Sequence, residues 1–249
     1  MAMVEGAGVL LACFEHGSGP AVLLVHGMAD RAAGWEATAA GLAPDARAIA
    51  YDRRGYGDSG APEPYERTTV EEQAEDAAAV LNSLDARPAV VCGRDFGALV
   101  CLDLCKRHAG SVRAAVLLDA PLLQFSAAAA ETLSDERAAL EQALRDGGPE
   151  RGVDVWLDAH GEPADSPRRT RARTDHAGFF ADYGGLASWP VTRAELRALT
   201  MPLVVLTSPS ALGPIREAAD ALAGLAPAAR REVAGDADAS IRALLADAA

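Results

Sequence analysis

Residues 88–97 read Pro-Ala-Val-Val-Cys-Gly-Arg-Asp-Phe-Gly, an apolar run followed by an aspartate near two glycines. The apolar part, residues 88–92, predicts a buried strand, and the segment from Phe96 to His108 predicts the helix after it. A sharp strand-to-helix turn needs small residues beside its strained central residue, because the neighbouring backbone is crowded. The stretch therefore predicts a nucleophile elbow that presents the carboxylate of Asp95, where most such elbows present a serine hydroxyl.

Predicted strands and helices alternate along the rest of the chain, which indicates an α/β fold with a mostly parallel sheet flanked by helices. Further strands are predicted over 9–15, 21–25, 46–52, 114–118, 202–207 and 230–234, and further helices over 70–84, 214–225 and 241–248. Residues 122–200 are instead helical and polar, and this segment is too long for a simple crossover. We therefore expect a helical cap over 122–200, inserted into a sheet domain formed by residues 1–121 and 201–249.

Composition and charge limit the partners that the chain can bind. The chain has 249 residues, half of them apolar, and a formal net charge of −13 at pH 7. A surface this acidic argues against binding to nucleic acid or to an anionic membrane. The sequence shows neither a basic-then-apolar leader nor an apolar stretch long enough to span a bilayer. We therefore expect a small, apolar or aromatic molecule as the partner, and the oligomeric state cannot be predicted.

The cysteine pattern indicates the redox environment. Cys13 and Cys92 lie in predicted strands, and Cys101 and Cys105 are one helical turn apart. Thiols at such positions are expected to be reduced core residues rather than disulfide partners or metal ligands. The sequence therefore predicts a cytoplasmic protein that uses no cofactor and no metal.

Four motifs, in this order, resemble those of the α/β-hydrolase superfamily. They are His26-Gly27, residues 52–60 (Asp-Arg-Arg-Gly-Tyr-Gly-Asp-Ser-Gly), residues 93–97 (Gly-Arg-Asp-Phe-Gly) and residues 118–121 (Leu-Asp-Ala-Pro). The resemblance covers nearly the whole chain and implies the α/β-hydrolase fold, with the cap over the carboxyl ends of the strands. An aspartate at the elbow resembles the branch that contains haloalkane dehalogenases, fluoroacetate dehalogenases and epoxide hydrolases. In that branch the carboxylate displaces a leaving group at saturated carbon, and a histidine-activated water hydrolyses the resulting ester.

The resemblance also implies roles for particular residues. The backbone N–H groups of Met28 and Phe96 would form the oxyanion hole. Asp119, at the end of the next strand, stands at one of two positions where the superfamily has its acid; alternatively, it is a strand-end residue that caps a loop. Asp238 falls where the family has its late histidine, and no histidine follows His176. The sequence thus predicts a degenerate catalytic triad.

Further departures from the branch bear on the reaction. Phe96 replaces the indole that dehalogenases use to bind halide, and a phenyl ring has no N–H donor. Ala29 stands where epoxide hydrolases commonly have proline, and Tyr183 is the one tyrosine of the cap, whereas those enzymes use a pair. An ester formed on Asp95 is expected to persist without the late base, since such assistance contributes on the order of 10²–10⁴-fold.

The cap supplies the remaining candidates. His176, Phe180 and Tyr183 share a face at helical spacing, with Trp189 at the exit of their predicted helix. These residues either pack the cap against the core or form an aromatic wall for the substrate, with His176 as a displaced base or hydrogen-bond partner. On an earlier cap helix, Trp156 and His160 are weaker candidates.

Three functions are compatible with these observations. The first, which we favour, is acid–base chemistry without hydrolysis: Asp95, Asp119 and Asp238 would converge in a partly desolvated pocket where one carboxyl is held protonated. Such a site suits cyclisation, elimination or carbon–carbon bond formation on an apolar, polyketide-like substrate, as in natural product biosynthesis. The second is hydrolysis of an epoxide, alkyl halide or ester through Asp95, with His176 or another base. The third is a non-catalytic ligand-binding protein.

Overall fold

The sheet that carries the elbow has eight strands in the order β1-β2-β4-β3-β5-β6-β7-β8. The computed structural model describes residues 1–186, 188–233 and 235–247. The strands are β1 (Ala2–Glu5), β2 (Leu10–His16), β3 (Ala21–Val25), β4 (Arg47–Tyr51), β5 (Ala89–Arg94), β6 (Val112–Leu118), β7 (Leu203–Thr207) and β8 (Ala229–Val233). Strand β2 is antiparallel to β1 and β4, and the remaining pairs are parallel. The carboxyl ends of strands β3 to β8 therefore meet at one edge, where the site lies.

The central strands form because their runs of Val, Leu and Ala can be buried on both faces. Alternate residues point to opposite sides, so Leu23 and Val91 lie in one core and Leu24 and Cys92 in the other. The outermost strand, β8, reads Ala-Arg-Arg-Glu-Val and is only partly buried. Charged side chains on an edge strand disfavour pairing with another sheet.

The helices cover both faces of the sheet and the edge at which the strands end. They are α1 (Glu36–Leu42), α2 (Val70–Ser83), α3 (Phe96–Arg107), α4 (Ala129–Ala159), α5 (Pro167–Thr174), α6 (His176–Leu186), α7 (Arg193–Arg197), α8 (Gly213–Leu225) and α9 (Ala237–Ala246). One core packs beneath α2, α3 and α8, and the other beneath α1 and α9. All four cysteines are buried in these cores and carry free thiols. No helix in the described part of the chain is both long and apolar enough to cross a bilayer.

Most predicted elements lie within two residues of the observed ones, and two differences have clear causes. The first strand, β1, is absent from the prediction because Ala2–Glu5 is too short to show alternation. Helix α9 begins at Ala237 instead of residue 241, because the Asp236 side chain accepts the backbone N–H of Asp238 and caps the helix there. Residue 248, the predicted helix end, and residue 234, the predicted end of the last strand, lie outside the described residues.

Between β6 and β7 the described residues form helices α4 to α7 and short connecting turns, and we refer to residues 122–200 as the cap. Helix α4 is sharply bent at Gly148, where φ is 76° and ψ is −168°. This region of backbone conformation is accessible almost solely to glycine. Pro149 follows directly and begins the second half, because proline is favoured in a first helical turn. The bend folds the two halves of α4 over the sheet edge.

An internal ion pair joins the cap to the sheet domain. Arg53 follows β4 and donates hydrogen bonds to both carboxylate oxygens of Asp182 on α6, at 3.1 and 2.6 Å. Both side chains are fully buried, with no exposed surface. Tyr56 and Gln73 also donate to this carboxylate, at 2.6 and 2.9 Å. Four hydrogen bonds thus satisfy the buried charge and fix α6 on the sheet domain.

Candidate functional site

The sequence from Cys92 to Gly97 folds into the predicted elbow. Asp95 stands between β5 and α3 with φ 52° and ψ −125°, a strained backbone conformation. A Cβ atom at Gly97 would collide with the carbonyl oxygens of Val25 and His26, and one at Gly93 would collide with the carbonyl oxygen of Gly97. Close backbone approach therefore requires both glycines.

The Asp95 carboxylate is held by the turn that follows β3. Its Oδ2 atom accepts a hydrogen bond from the backbone N–H of Met28 at 2.9 Å. Although part of Asp95 faces a cavity, the surrounding protein desolvates the carboxylate and raises its pKa above the ordinary value. The N–H groups of Met28 and Phe96, together with His160 and Arg168, act in the opposite direction and lower this pKa. The Met28 N–H thus positions the carboxylate, and the Phe96 N–H, which the sequence also assigns to an oxyanion hole, stabilises its charge.

The loop bearing Met28 is itself braced from two sides. From the cap, Arg168 donates hydrogen bonds to the carbonyl oxygens of Met28 and Ala29, at 2.9 and 3.0 Å. From beneath, His26 Nδ1 lies 2.8 Å from the Gly27 oxygen, while His26 Nε2 accepts the Arg53 backbone N–H at 2.9 Å. Burial and the neighbouring Arg53 cation lower the His26 pKa well below its ordinary value, so the ring is neutral. Neutral His26 is a structural link between the two loops.

A cavity of about 540 Å³ opens above the elbow, between the sheet edge and the cap. This volume is typical of a site for a small organic molecule. Its titratable lining residues are Arg94, Asp95, Asp119, Glu136, His160, Glu162 and Arg168, and its large apolar ones include Met28, Leu123, Leu133, Trp156, Leu186, Leu212 and Ile215. The chemistry-bearing groups thus face one another across a largely apolar space.

Asp119 lines this cavity at the end of β6. Its φ of 52° is in the left-handed region, and its Oδ1 atom accepts the Ser208 backbone N–H at 2.8 Å. The carboxylate therefore caps the loop after β7 while facing the same space as Asp95. The Ser208 contact is the loop-capping role considered from the sequence, and the catalytic role stays a prediction.

Asp238 lies elsewhere, so the expected convergence of three aspartates is not found. It is in the first turn of α9, and its carboxylate lies beside Gly41 of α1. It does not line the cavity of Asp95 and Asp119. The cause is the early start of α9: once Asp236 caps the helix, the Asp238 side chain is directed along the outer helix layer.

Of the cap residues expected at the site, the two weaker candidates, Trp156 and His160, line the cavity, and the others do not. His176 begins α6, with Nδ1 3.0 Å from the Arg173 oxygen. Phe180 packs on Phe179, with ring centroids 5.0 Å apart. The indole N–H of Trp189 instead donates to Asp103 on α3 at 3.1 Å.

Tyr183 and Phe96 also lie behind the cavity rather than in its lining. Tyr183 stands next to Glu136, a contact that lowers the Glu136 pKa. The Phe96 ring faces the guanidinium of Arg53, at 5.0 Å from ring centroid to Cζ. The Phe96 side chain therefore does not line the cavity.

Of the two weaker candidates, His160 takes a central place in the cavity, and the structure adds Glu136, which the sequence did not single out. The His160 ring stacks on Trp156 with centroids 3.9 Å apart. Its Nε2 atom lies 3.9 Å from Glu136 Oε2. Trp156 and His160 are four residues apart, and this spacing is the one sequence signal that they share a helix face. Among the described residues, no three His, Cys, Asp or Glu side chains are placed to share a metal ion.

Comparisons with known proteins agree with this architecture. The sequence profile of the alpha/beta hydrolase fold family matches residues 20–147. A solved alpha/beta hydrolase from Sphaerobacter thermophilus is 25% identical, with a TM-score of 0.79 and full coverage of both chains. The chain therefore belongs to the α/β hydrolase fold family.

Two curated relatives are more specific in name. Bifunctional epoxide hydrolase 2 of Rattus norvegicus is 34% identical over 117 residues, which is 47% of this chain and 21% of the relative. Epoxide hydrolase A of Mycobacterium tuberculosis is 34% identical over 124 residues, which is 49% of this chain and 38% of the relative. The alignments thus span well under half of each relative's length.

Proposed function

We propose that the protein is a hydrolase that opens a small epoxide through a covalent ester on Asp95. The proposal rests on how the Asp95 carboxylate is held. Its Oδ2 atom accepts a hydrogen bond from the Met28 N–H at 2.9 Å, and the cavity opens above it. In this pose Oδ1 is the attacking atom and Oδ2 becomes the carbonyl oxygen of the ester. The same N–H then stabilises the oxyanion when water attacks that carbonyl.

The reaction balances in two steps. Asp95 Oδ1 attacks one epoxide carbon, the carbon–oxygen bond of the ring breaks, and the released alkoxide takes a proton. Water then adds to the ester carbonyl carbon, and the tetrahedral intermediate expels the second alcohol and regenerates the carboxylate. The products are a diol and the unchanged protein. Each epoxide consumes one water molecule.

Several observations favour an epoxide over the other substrates of this branch. The curated relatives described above carry epoxide hydrolase names. Halide release is less suited to this site, since Phe96 packs on Arg53 and offers the cavity no side-chain N–H. The open apolar wall formed by Leu123, Trp156 and Ile215 suits a neutral, largely apolar molecule.

Hydrolysis now accounts for the site better than the acid–base reaction without water that the sequence favoured. The acid–base hypothesis required Asp238 beside Asp95 and Asp119 in one pocket. Asp238 lies outside the cavity, and the His160 ring lines it. A base for the water step is therefore available from the cap.

The proposal is tested by measuring diol formation from a panel of alkyl and aryl epoxides. Native protein is expected to turn over at least one of them, and Asp95→Ala is expected to fall to the uncatalysed rate. Asp135→Asn, which changes an exposed acid of the cap, is the matched control. Tight binding without turnover, unchanged in Asp95→Ala, would instead favour a ligand-binding protein. A rearranged product that contains no water oxygen would restore the acid–base hypothesis.

A further inference from the structure

The cap brings an imidazole and a carboxyl group together over the elbow from the two ends of one bent helix. Glu136 lies in the first half of α4, and His160 is the residue that ends the second half. Their facing atoms, Glu136 Oε2 and His160 Nε2, are 3.9 Å apart, and both residues line the cavity above Asp95. These residues are far apart in the sequence, so the bend at Gly148 creates the pair.

The hydrogen bond on the far side of the ring orients His160. Its Nδ1 atom lies 2.8 Å from the backbone oxygen of Trp156. A carbonyl oxygen can only accept, so Nδ1 carries the hydrogen and Nε2 has the lone pair in the neutral ring. Stacking on the Trp156 indole, at an interplanar angle of 26°, holds the plane of the imidazole. The basic nitrogen is therefore directed toward Glu136 and the cavity.

Glu136 lies in an environment that favours its protonated form. Burial raises its pKa above the ordinary value; His160 and Tyr183 act in the opposite direction, and the negative charge of Asp95 adds to the effect of burial. Its side chain is 18% exposed, on the cavity side. A protonated carboxyl facing the space above Asp95 is a proton donor for an oxygen that leaves an epoxide carbon.

We propose that Glu136 is the proton donor, in place of the second tyrosine, and that His160 is the general base, in place of the late histidine. This inference rests on the proposed function, since it concerns the two proton transfers of that reaction. Glu136 gives its proton to the alkoxide when Asp95 opens the ring. His160 Nε2 then takes a proton from the water that attacks the Asp95 ester.

Glu136 and His160 together neither gain nor lose a proton over one turnover. After ring opening Glu136 is an anion, and after water attack His160 is a cation. When the tetrahedral intermediate collapses, the departing alkoxide takes the hydrogen that water brought to the Asp95 carboxyl. Transfer of one proton from His160 Nε2 to Glu136 Oε2 then restores both groups. Their separation of 3.9 Å is longer than a hydrogen bond, so this transfer requires a rotation of one of the two side chains.

Other titratable groups around the pair come from four further parts of the fold. Asp95 lies below it on the elbow, Arg168 on α5 and Tyr183 on α6, with Glu162 in the turn between α4 and α5. Arg168 is engaged by Glu162 at 3.0 Å and by two backbone carbonyls. Within the described residues lining the cavity, His160 is the one imidazole.

The decisive experiment compares His160→Gln with Glu136→Gln under rapid quench, by intact mass and diol release. In His160→Gln the ester on Asp95 is expected to form at the native rate and accumulate, with turnover reduced on the order of 10²–10⁴-fold. In Glu136→Gln ester formation itself is expected to slow, so no adduct accumulates. Added imidazole is expected to restore turnover to His160→Ala, an effect that loss of packing alone would not produce.

Matched controls are His176→Gln and Glu131→Gln, since both residues belong to the cap and neither lines the cavity. Near-native turnover in His160→Gln, or reduced turnover without an accumulated ester and without imidazole rescue, would overturn the assignment of the base. Native ester formation in Glu136→Gln would overturn the assignment of the donor. If native protein hydrolyses an epoxide without any ester on Asp95, the proposed function itself fails, which is a distinct result.

Discussion

At the scale of a single residue, Asp95 combines a reactive carboxylate with a strained backbone conformation. Its φ of 52° and ψ of −125° are strained for any residue with a Cβ atom. We therefore expect Asp95→Gly to lose activity while raising the free energy of unfolding by about 1 kcal/mol, since glycine relieves strain but adds unfolded-state entropy. Urea denaturation measures the change. Asp95→Ala keeps the Cβ atom and should be less stable than Asp95→Gly; the reverse order would show that the elbow is unstrained.

A second residue-scale prediction concerns the charge state of Asp95. Burial raises the pKa of this carboxyl, and the Arg168 cation lowers it by stabilising the ionised form. Because the ionised form is the nucleophile, kcat/KM falls as pH drops through this pKa. Replacing Arg168 by Gln removes the opposing cation, so the acidic limb of the pH profile is expected to move to higher pH. Arg168→Lys keeps the charge and should retain the native limb, whereas a limb that moves to lower pH in Arg168→Gln would contradict the assignment.

At the scale of one element, the bend of helix α4 is the feature on which the site depends. Gly148 has φ 76° and ψ −168°, and a Cβ added there would meet no atom within 4 Å. Gly148→Ala is therefore expected to lower the free energy of unfolding only through backbone strain, by roughly 1–3 kcal/mol. We expect this substitution to destabilise the protein by that amount and to lower kcat, because the two halves of α4 no longer hold His160 against Glu136.

Chemical denaturation and steady-state kinetics check the two parts of this prediction. Gly8→Ala is the control: Gly8, in the turn between β1 and β2, also has positive φ, 84°, and open space around it, but it does not line the cavity. It should share the stability loss while retaining more of kcat. Equal kinetic losses in both variants would mean that the bend has no special relation to the chemistry.

The same element shows where sequence reasoning succeeds and where it stops. Asp95, Asp119 and the Met28 loop could be predicted because apolar strands and flanking glycines fix strand ends, and parallel strands end at one edge. Glu136 could not, and His160 was only a weaker candidate, since helical periodicity does not show which cap face lies over that edge, and the bend depends on one glycine. From the sequence, His176 is at least as good a candidate for the base as His160, but α6 places it outside the cavity. The position of Asp238 could not be predicted for a similar reason, because the Asp236 side chain caps α9 and the helix begins early.

At the scale of the whole molecule, the cap is attached by buried charge rather than by apolar packing alone. The Arg53–Asp182 pair is fully buried and joins the loop after β4 to α6. Removing one partner leaves an uncompensated charge, so Arg53→Met is expected to lower the free energy of unfolding by about 3–5 kcal/mol. The double variant Arg53→Met, Asp182→Leu should recover much of that loss, since no buried charge remains. Urea titrations of the two variants test this, and a double variant less stable than the single one would refute it.

The molecule divides its work between two units. The sheet domain supplies a strained carboxylate and the N–H groups that hold it, at positions set by β3, β5 and α3. The cap supplies the apolar wall and, on our account, the proton donor and the base. On our proposal, the cap thus supplies the imidazole that the family resemblance would place in the sheet domain.

The most direct test of this account is the destination of oxygen from labelled water. Native protein is allowed to turn over an epoxide in H₂¹⁸O, and tryptic cleavage after Arg94 and Lys106 then releases the peptide that carries Asp95. We expect ¹⁸O in the Asp95 carboxylate and none in Asp103 of the same peptide, with the first-turnover diol unlabelled. Labelled diol from a single turnover, with an unlabelled Asp95, would mean that water attacks the epoxide directly and would contradict the covalent route.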